Sequence, residues 1–313
     1  MLTLLIIDTF DNIFLSNCNN LSINIDYVPN ISPNNLLEII NKYHILLLKS
    51  KPQIDKEIIE KASNLKLIIR AGSGTEHIDK KLLSQRKIKL VSTPEGNKDS
   101  VGEQAIGMIL SLLHNIQKSD KEIRAKLWDR NTNIGTELGT KIVGIIGYGN
   151  TGGAFAKKLN GFGCKIIAYD KYKTNYSDEF VMESDMQEIF EKAAILSLHI
   201  PLNNETKYLV SKAFIEQFKK PFWFLNLSRG EIVNTEDLIF ALENNQIKGA
   251  GLDVFENENF NNLSPKDKEW MERLSNKENV ILTPHIGGSS KESVQRINQL
   301  ILQILKDFIQ TVS

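Results

Sequence analysis

Residues 141–152 read Lys141-Ile-Val-Gly-Ile-Ile-Gly147-Tyr-Gly149-Asn-Thr-Gly152. An apolar strand leads directly into a G-x-G-x-x-G turn, and a helix-forming segment follows the turn. Farther along, the run Lys165-Ile-Ile-Ala-Tyr-Asp170 indicates a second strand that ends in an acid. This order of strand, glycine turn, helix and acidic strand end is typical of a dinucleotide-binding βαβ unit, in which the helix N-terminus offers unpaired N–H groups to phosphates.

The same unit predicts which dinucleotide is bound. Asp170 follows Gly152 by 18 residues, a position from which a carboxylate accepts hydrogen bonds from a ribose 2′-hydroxyl. Its negative charge would repel the 2′-phosphate of NADP, although Lys171 and Lys173 partly offset that repulsion. We therefore expect NAD as the cofactor, held by Asp170 and by the turn. The turn residues are Gly147, Tyr148, Gly149, Asn150, Thr151 and Gly152.

Length and composition restrict the class of protein. The chain has 313 residues, which suits two domains, and 41% of them are hydrophobic. Its 38 basic and 38 acidic residues are mixed along the sequence, so we expect neither nucleic-acid binding nor membrane binding. Cys18 and Cys164 lack metal-ligand spacing and are expected to be reduced thiols. We expect a cytoplasmic protein without a metal site.

Apolar runs alternate with helical patterns along the chain, which predicts parallel sheets with βαβ crossovers. The expected fold class is α/β, with two doubly wound Rossmann-like domains. The predicted strands are Leu2–Asp8, Asn24–Val28, Ile45–Leu48, Lys66–Ile69 and Lys89–Val91, followed by a strand beginning at Ile142 and by Lys165–Tyr169, Ala194–Leu198, Phe222–Asn226, Gly249–Leu252 and Val280–Leu282.

Two long helices are predicted around the second set of strands. An amphipathic helix from about Asp99 to Arg124 would link the two domains. A final helix over about Lys291–Ile309 is a candidate to return to the first domain, which would make that domain discontinuous. Asp55 and Asp79 are predicted to cap shorter helices that begin at the next residue.

Three kinds of reactive side chain directly follow predicted strands, where ligands bind in open α/β sheets. Arg229 offers a guanidinium that can hold a carboxylate through two parallel hydrogen bonds. His285 offers an imidazole, which suits proton exchange with a carbonyl or an alcohol. Asp253, Glu256 and Glu258 lie together, and one of the glutamates could hydrogen-bond His285. The alternative interpretations are a surface arginine, a loop histidine and a solvated acidic loop.

Over nearly its whole length the chain resembles the D-isomer-specific 2-hydroxyacid dehydrogenase family, and within it the phosphoglycerate dehydrogenase branch in a form without a regulatory domain. The glycine turn and Asp170 belong to this resemblance. The other matching runs are Leu65-Lys-Leu-Ile-Ile-Arg70-Ala-Gly72-Ser-Gly74-Thr75-Glu-His-Ile-Asp79, Asn97 followed by Ser100-Val-Gly-Glu103-Gln-Ala, His199-Ile-Pro-Leu, Asn226-Leu-Ser-Arg229-Gly230, Gly251-Leu-Asp253-Val-Phe and Thr283-Pro-His285-Ile-Gly-Gly288-Ser.

The resemblance implies catalytic roles for three residues. The arginine that matches Arg229 binds the carboxylate of the 2-oxo acid, and the histidine that matches His285 is the acid/base. Glu258, rather than Glu256, has the position of the glutamate that pairs with this histidine. The family usually has proline directly after that glutamate, whereas this chain has Asn259.

The resemblance also implies how the chain divides. Residues 1–95 and 286–313 would form a discontinuous, flavodoxin-like substrate-binding (catalytic) domain, residues 96–285 would form the NAD-binding Rossmann domain, and the site would lie in the cleft between them. Backbone N–H groups of Gly72, Ser73 and Gly74 would contact the substrate carboxylate. Further cofactor contacts are expected at His199, Pro201, Thr206, Leu227, Ser228, Asp253 and Gly287.

The resemblance also implies that the substrate is a small 2-hydroxy or 2-oxo acid. Lys49, Ser50 and Arg70 follow predicted strands of the first domain, and two cations there could meet a phosphate. The phosphoglycerate dehydrogenase branch has a basic residue at the position of Lys49, usually arginine. We therefore favour oxidation of D-3-phosphoglycerate to 3-phosphohydroxypyruvate, the first step toward serine. The alternatives are a hydroxypyruvate/glyoxylate or D-lactate-type reductase, and an NAD(H)-sensing binding protein without turnover.

A second copy of the chain is the other expected partner. The helix from Asp99 and the loop around Trp128 are more apolar than an interdomain link requires. The resemblance likewise implies a homodimer, and core packing of these residues is the alternative explanation.

Overall fold

Two parallel β-sheets organise residues 1–312, the part of the chain that this computed structural model describes. In that part every paired strand is parallel to its neighbours, and the sheets contain five and seven strands. Parallel neighbours require crossover connections, and helices supply most of them. The predicted α/β class with two doubly wound sheets is confirmed.

The strands are short and the helices vary from one turn to six. The strands are β1 (Thr3–Ile6), β2 (Asn24–Tyr27), β3 (Ile45–Leu48), β4 (Leu67–Arg70), β5 (Lys89–Ser92), β6 (Ile142–Ile146), β7 (Lys165–Tyr169), β8 (Val181–Glu183), β9 (Ile195–Leu198), β10 (Phe222–Asn226), β11 (Ile247–Leu252) and β12 (Val280–Leu282). The α-helices are α1 (Asn12–Asn19), α2 (Pro33–Ile39), α3 (Lys56–Lys61), α4 (Lys80–Gln85), α5 (Lys98–Leu113), α6 (Ile116–Arg124), α7 (Asn150–Leu159), α8 (Met186–Lys192), α9 (Lys212–Ile215), α10 (Thr235–Glu243), α11 (Pro265–Ser275) and α12 (Lys291–Val312).

The first compact unit contains Met1–Asn97 together with α12. Its sheet has the order β2-β1-β3-β4-β5, which is the flavodoxin-like order. Ile301 and Leu305 of α12 are completely buried in the core on one face of this sheet. The final helix therefore completes the first unit, which is discontinuous in sequence as the fold prediction required.

The second compact unit contains Lys98–Ser290. Its sheet has the order β12-β11-β10-β9-β6-β7-β8. Counted from β6, this is the Rossmann order with one further parallel strand at its end, and the direction of winding reverses between β6 and β9. Ligands bind at the carboxyl ends of the strands near such a reversal, and the glycine turn directly follows β6.

The division between the units lies a few residues beyond the predicted boundaries at 95 and 285. The N–H groups of Ile286 and Gly287 donate to the carboxylate of Asp253, which keeps the segment after His285 in the second unit. The substrate-binding and NAD-binding roles assigned to the predicted domains stay a prediction.

The prediction of one continuous helix from Asp99 to Arg124 is wrong, because the structure has two helices there. α5 ends at Leu113 and α6 begins at Ile116. Asn115 between them has a φ of 52°, in the left-handed region that a right-handed helix cannot include and that asparagine tolerates. The break leaves Ile116 54% exposed, although the continuous helix placed it on the buried face.

Other local predictions have mixed outcomes. Asp55 and Asp79 cap α3 and α4, since each side chain accepts the N–H of a residue three positions later. The sequence did not predict β8, a strand of three residues at the edge of the second sheet. No helix within residues 1–312 is both long enough and apolar enough to span a bilayer.

Candidate active site

The glycine turn after β6 has the geometry that its sequence predicts. Gly147 has a φ of 94°, and a side chain there would collide with the carbonyl oxygen of His199. A side chain at Gly152 would collide with the carbonyl oxygen of Gly147, so α7 lies directly against the turn. Both positions require glycine for steric reasons.

The N-terminus of α7 suits a pyrophosphate. Gly149 precedes the helix and supplies no side-chain cap to its first N–H groups. A Cβ added at Gly149 would meet no atom within 4 Å, so the space above these N–H groups is open. Asn150 and Thr151 provide the first N–H donors, and the helix dipole favours a negative group at this end. The turn therefore fits the NAD predicted from its sequence.

Asp170 lies directly after β7, beside the glycine turn. Its carboxylate accepts the N–H of Tyr148 at 2.8 Å and the N–H groups of Tyr172 and Lys173 at 2.9 and 3.0 Å. The Lys173 ammonium donates to the carbonyl oxygen of Tyr148 at 2.9 Å. Asp170 thus helps to hold the turn, while its predicted bond to a ribose hydroxyl stays a prediction.

His199 closes the turn from the neighbouring strand, β9. Its Nε2 lies 2.9 Å from the Ser197 hydroxyl, and its ring packs against Phe155. Desolvation lowers the pKa of His199 to about 3, so the ring is neutral at physiological pH. The residue is therefore a neutral hydrogen-bonding group beside the glycine turn, and its contact with the cofactor stays a prediction.

Further predicted cofactor residues lie at the ends of β9 and β10. The Thr206 hydroxyl donates to the carbonyl oxygen of Pro201 at 2.7 Å, which closes the loop after β9. The hydroxyl of Ser228 donates to the carbonyl oxygen of Leu198 at 2.6 Å, which links the two strand ends. Leu227 and Ser228 are both buried. These residues lie at the carboxyl ends of strands in the second sheet. The glycine turn leaves β6 at the same edge of that sheet.

His285 pairs with Glu258. The histidine Nδ1 lies 2.8 Å from the Oε2 atom of Glu258, and both side chains are about two-fifths exposed. Glu256 has different partners, because it accepts the N–H of Thr235 and the hydroxyl of Tyr208. Of the two glutamates that the sequence left as candidates, Glu258 is the one beside the imidazole.

Asp253 holds the loop that carries His285. It is 1% exposed, and its two carboxylate oxygens accept the N–H groups of Ile286 and Gly287 at 2.9 and 2.8 Å. Its carbonyl oxygen accepts the N–H of His285 at 2.8 Å. His285 has a φ of 53°, a conformation that costs a non-glycine residue on the order of 1 kcal/mol and persists where surrounding bonds enforce it. The Asp253 contact predicted with the cofactor stays a prediction.

Arg229 lies three residues beyond a buried asparagine that shapes its turn. Asn226 is 1% exposed; its side chain donates to the carbonyl oxygen of Arg229 at 2.9 Å and accepts the N–H of Ser228 at 3.0 Å. The Arg229 guanidinium donates to the carbonyl oxygen of Ser228 at 2.6 Å and is partly buried. Because β10, β11 and β12 are neighbours in register, the segments with Arg229, Glu258 and His285 leave the same edge of the sheet.

The sequence of residues 106–287 matches the family model described as the NAD-binding domain of D-isomer specific 2-hydroxyacid dehydrogenases. That match covers more than half of the chain. The chain belongs to the D-isomer-specific 2-hydroxyacid dehydrogenase family. The predicted family and NAD as its cofactor are confirmed, and the protein is an NAD-dependent oxidoreductase.

The proteins to which this dehydrogenase is similar are named as enzymes with different substrates. A hydroxypyruvate reductase of Thermotoga maritima is 34% identical over 275 residues, which are 87% of each chain. A D-3-phosphoglycerate dehydrogenase of Synechocystis is 31% identical over 91% of this chain, which spans about half of that relative (50%). A solved D-lactate dehydrogenase of Aquifex aeolicus, complexed with NAD and lactic acid, shares the fold with a TM-score of 0.86 at 24% identity, over 99% of this chain and 96% of that one.

The predicted substrate residues of the dehydrogenase lie in its first unit, at the ends of β3 and β4. The Lys49 ammonium donates to the carbonyl oxygen of Thr9 at 2.5 Å and lies 4.6 Å from the centre of the Phe10 ring. The neighbouring Ser50 is exposed. The Arg70 guanidinium donates to the carbonyl oxygen of Ala71 at 3.1 Å. A basic side chain therefore lies at the end of each strand.

The segment Gly72–Gly74 follows β4 in the same unit. Gly72 has a φ of 123°, and its N–H donates to the buried Thr93 hydroxyl at 2.7 Å. The Arg70 guanidinium lies directly over Gly72, where a Cβ would collide with it. Ser73 is partly exposed and Gly74 is buried. Binding of the substrate carboxylate by this segment stays a prediction.

Three residues near the segments that carry Arg229, Glu258 and His285 were not predicted. Asn226 shapes the Arg229 turn, and both Gln104 and Thr283 hydrogen-bond the carboxylate of Asp253. Each lies inside a motif of the family, but its own contacts join segments distant in the sequence. No group of three or more His, Cys, Asp or Glu side chains in residues 1–312 could hold a metal ion.

Proposed function

We propose that this dehydrogenase interconverts a D-2-hydroxy acid and its 2-oxo acid, with His285 as the acid/base, Glu258 as its partner and Arg229 as the carboxylate-binding residue. The observation that carries the proposal is the 2.8 Å separation of His285 Nδ1 from Glu258 Oε2. A carboxylate at Nδ1 fixes the tautomer and leaves Nε2 to exchange a proton with the substrate.

In the reductive direction, protonated His285 donates its Nε2 proton to the substrate carbonyl oxygen, which becomes a hydroxyl. Glu258 stabilises the imidazolium through a charge-assisted hydrogen bond. Arg229 holds the substrate carboxylate and orients the 2-oxo carbon. The hydride for that carbon would come from bound NADH. In the oxidative direction, neutral His285 accepts the hydroxyl proton.

The cofactor would be held by the carboxyl edge of the second sheet. Residues 147–152 and the N-terminus of α7 are proposed to bind the pyrophosphate, since the N–H groups there are uncapped and the space above them is open. Asp170 is proposed to accept from the ribose next to the adenine. A carboxylate at this position disfavours the 2′-phosphate of NADP.

For the substrate, we propose D-3-phosphoglycerate, oxidised to 3-phosphohydroxypyruvate as the first step toward serine. Leu48 and Arg70 are partners in the ladder between β3 and β4, so Lys49 and Arg70 both lie at the carboxyl edge of the first sheet, on neighbouring strands. Such a pair suits a phosphate, because the guanidinium offers two parallel donors and the ammonium a point charge. A phosphate would replace the bond from Lys49 to the carbonyl oxygen of Thr9.

Reduction of hydroxypyruvate is the second candidate, and a specific observation favours it. The Thermotoga maritima hydroxypyruvate reductase is 34% identical over its aligned residues, compared with 31% for the Synechocystis phosphoglycerate dehydrogenase. Hydroxypyruvate and 3-phosphohydroxypyruvate share the 2-oxo acid that His285 and Arg229 would bind. They differ only in the phosphate.

Initial rates on paired substrates test this proposal. NADH oxidation is followed with 3-phosphohydroxypyruvate, hydroxypyruvate and glyoxylate, and NAD reduction with D-3-phosphoglycerate. We expect kcat/KM to be at least about tenfold higher for 3-phosphohydroxypyruvate than for hydroxypyruvate, because a hydrogen bond to a charged group contributes roughly 1.5–3 kcal/mol and 1.4 kcal/mol is about a factor of ten. The opposite preference would support the second candidate. Absence of turnover on every 2-oxo acid, together with NADH binding, would contradict both.

We also propose that the dehydrogenase is a homodimer through α6 and the loop that follows it. α6 buries none of its side chains in its own unit. Together α6 and the loop form an apolar surface of five exposed side chains. These are Ile116, Ile123, Leu127, Trp128 and Ile134, with exposures of 54%, 52%, 57%, 81% and 76%.

The loop that carries much of this surface is held in place by polar contacts. The Lys118 ammonium donates to the Thr132 hydroxyl at 3.1 Å, and Asn133 donates to Glu122 and to the carbonyl oxygen of Asp129. An ordered loop that presents large apolar side chains to solvent is typical of an interface. A second copy of the same surface is the partner that symmetry makes simplest.

A further inference from the structure

Gln104 connects α5 to two of the segments that form the candidate active site. Its Nε2 donates to Asp253 Oδ1 and to the Thr283 hydroxyl, both at 2.9 Å. The Thr283 hydroxyl donates to the same carboxylate oxygen at 2.5 Å. One amide group therefore ties α5 to the segment after β11 and to the segment after β12.

We propose that Gln104 is a positioning residue for His285 and acts through the carboxylate of Asp253. The inference rests on the proposed role of His285 as the acid/base. Gln104 is not expected to touch substrate or reacting atoms. Its effect comes from fixing the buried group to which the histidine loop is bonded.

The hydrogen-bond donors around Asp253 explain why loss of the Gln104 amide would affect the loop that carries His285. The buried carboxylate accepts from Gln104, Thr283, and the N–H groups of Ile286 and Gly287. A buried charge is tolerated when its oxygens are fully hydrogen-bonded and becomes costly when a donor is removed. Loss of the Gln104 donor would therefore drive Asp253 to rearrange or to admit water. The two N–H groups bonded to Asp253 would then lose their fixed acceptor.

The backbone at His285 is the part of the loop most sensitive to that change. Its φ of 53° is in the left-handed region, and its neighbours Ile286 and Gly287 are bonded to the same carboxylate. When that carboxylate is displaced, the loop can return to a more common backbone conformation. The imidazole then spends less time at the 2.8 Å contact with Glu258.

The decisive variant is Gln104→Met, which keeps the length of the side chain and removes both N–H donors. A matched control is Gln187→Met in the same unit. Gln187 also donates its amide to a carboxylate, that of Glu191, at 2.8 Å, but it lies on the surface of α8. Any effect of replacing glutamine by methionine in general appears in both variants.

Amide hydrogen exchange measures the proposed link without requiring activity. We expect exchange at Ile286 and Gly287 to be about tenfold faster in Gln104→Met than in wild type, while Gln187→Met leaves both rates unchanged. Exchange in β6, a strand that Gln104 does not hydrogen-bond, should be the same in all three proteins. Unchanged protection of Ile286 and Gly287 in Gln104→Met would overturn the inference.

Kinetics then separate positioning from a loss of folded enzyme. We expect Gln104→Met to lower kcat about tenfold and to raise the primary deuterium isotope effect on kcat with NADH labelled at the transferred position. A smaller fraction of folded enzyme would lower kcat and leave the isotope effect unchanged, which would contradict a positioning role.

A double-mutant cycle tests whether Gln104 acts through the proposed carboxylate. Thr283→Val removes the hydroxyl that donates to the same Oδ1. We expect the double variant with Gln104→Met to be less impaired than the product of the two single effects, because both act on one group. Multiplicative effects would contradict a shared route. Lack of turnover by the wild type would contradict the proposed function, whereas the exchange rates decide this inference whatever the wild-type rate.

Discussion

His285 Nδ1 and Glu258 Oε2 lie 2.8 Å apart, although 27 residues separate them in the sequence. The glutamate lies on the loop after β11, where Asn259 replaces the proline that is usual in the family. Asn257 supports this loop, because its side chain donates to Asp267 at 2.9 Å and accepts the N–H of Asn259 at 2.9 Å. Side-chain hydrogen bonds thus hold the loop where a proline ring would otherwise restrict it.

Replacing Glu258 by glutamine should slow reduction without weakening cofactor binding. Glu258→Gln keeps the shape of the side chain and removes the charge that stabilises the imidazolium. A hydrogen bond to a charged group contributes roughly 1.5–3 kcal/mol, so kcat should fall about tenfold to a hundredfold. Stopped-flow rates of NADH oxidation measure this effect. In the control Glu256→Gln, kcat should stay within threefold of wild type, and equal losses in the two variants would contradict the pairing.

Cofactor preference should depend on the charge at Asp170. We expect kcat/KM to favour NADH over NADPH by at least about tenfold, because the carboxylate repels a 2′-phosphate. Asp170→Asn removes the charge and keeps one oxygen to accept the N–H of Tyr148, so the ratio should shrink by about tenfold. Kinetics with both cofactors measure the ratio. A wild-type preference for NADPH would contradict the assignment.

Recognition of the substrate phosphate should depend on Lys49. Lys49→Met should raise the KM for 3-phosphohydroxypyruvate about tenfold and leave the KM for hydroxypyruvate within twofold, since only one of the two carries a phosphate. The exposed neighbour Lys51 provides a matched control through Lys51→Met. Equal increases in KM for both substrates would show that Lys49 does not bind phosphate.

The sequence predicted those features of the fold that depend on local pattern. Apolar runs predicted parallel strands, and the glycine spacing predicted the turn after β6, where the structure gives Gly147 a positive φ. Asp55 and Asp79 were recognisable as caps because capping needs only residues three positions apart. The family resemblance then distinguished Glu258 from Glu256, a choice that the residues alone had left open.

The unpredicted features depend on tertiary contacts or on single backbone conformations. Gln104 bonds Asp253 across 149 residues, a contact that no local pattern indicates. Asn115 divides α5 from α6 through one left-handed residue, and an amphipathic pattern that continues on both sides conceals that break. β8 was missed because its three residues pair only at the edge of a sheet.

Dimer formation should depend on the apolar surface of α6 and its loop. We expect light scattering to give about twice the chain mass of 35.4 kDa for the wild type. The double variant Trp128→Glu/Ile134→Glu places charges in the proposed interface and should be monomeric at the same concentration. Phe240→Glu, at a 43% exposed position on α10, should remain dimeric. A monomeric wild type would contradict the proposal.

The central claim is that His285 exchanges the proton during hydride transfer, and the His285→Gln variant tests it most directly. NADH oxidation is measured with saturating 2-oxo acid for wild type and variant, and NADH binding is measured by fluorescence titration. General acid–base catalysis contributes a factor of about a hundred to ten thousand, so kcat should fall by that factor while the Kd for NADH stays within twofold. A variant that turns over within about threefold of wild type would contradict the claim.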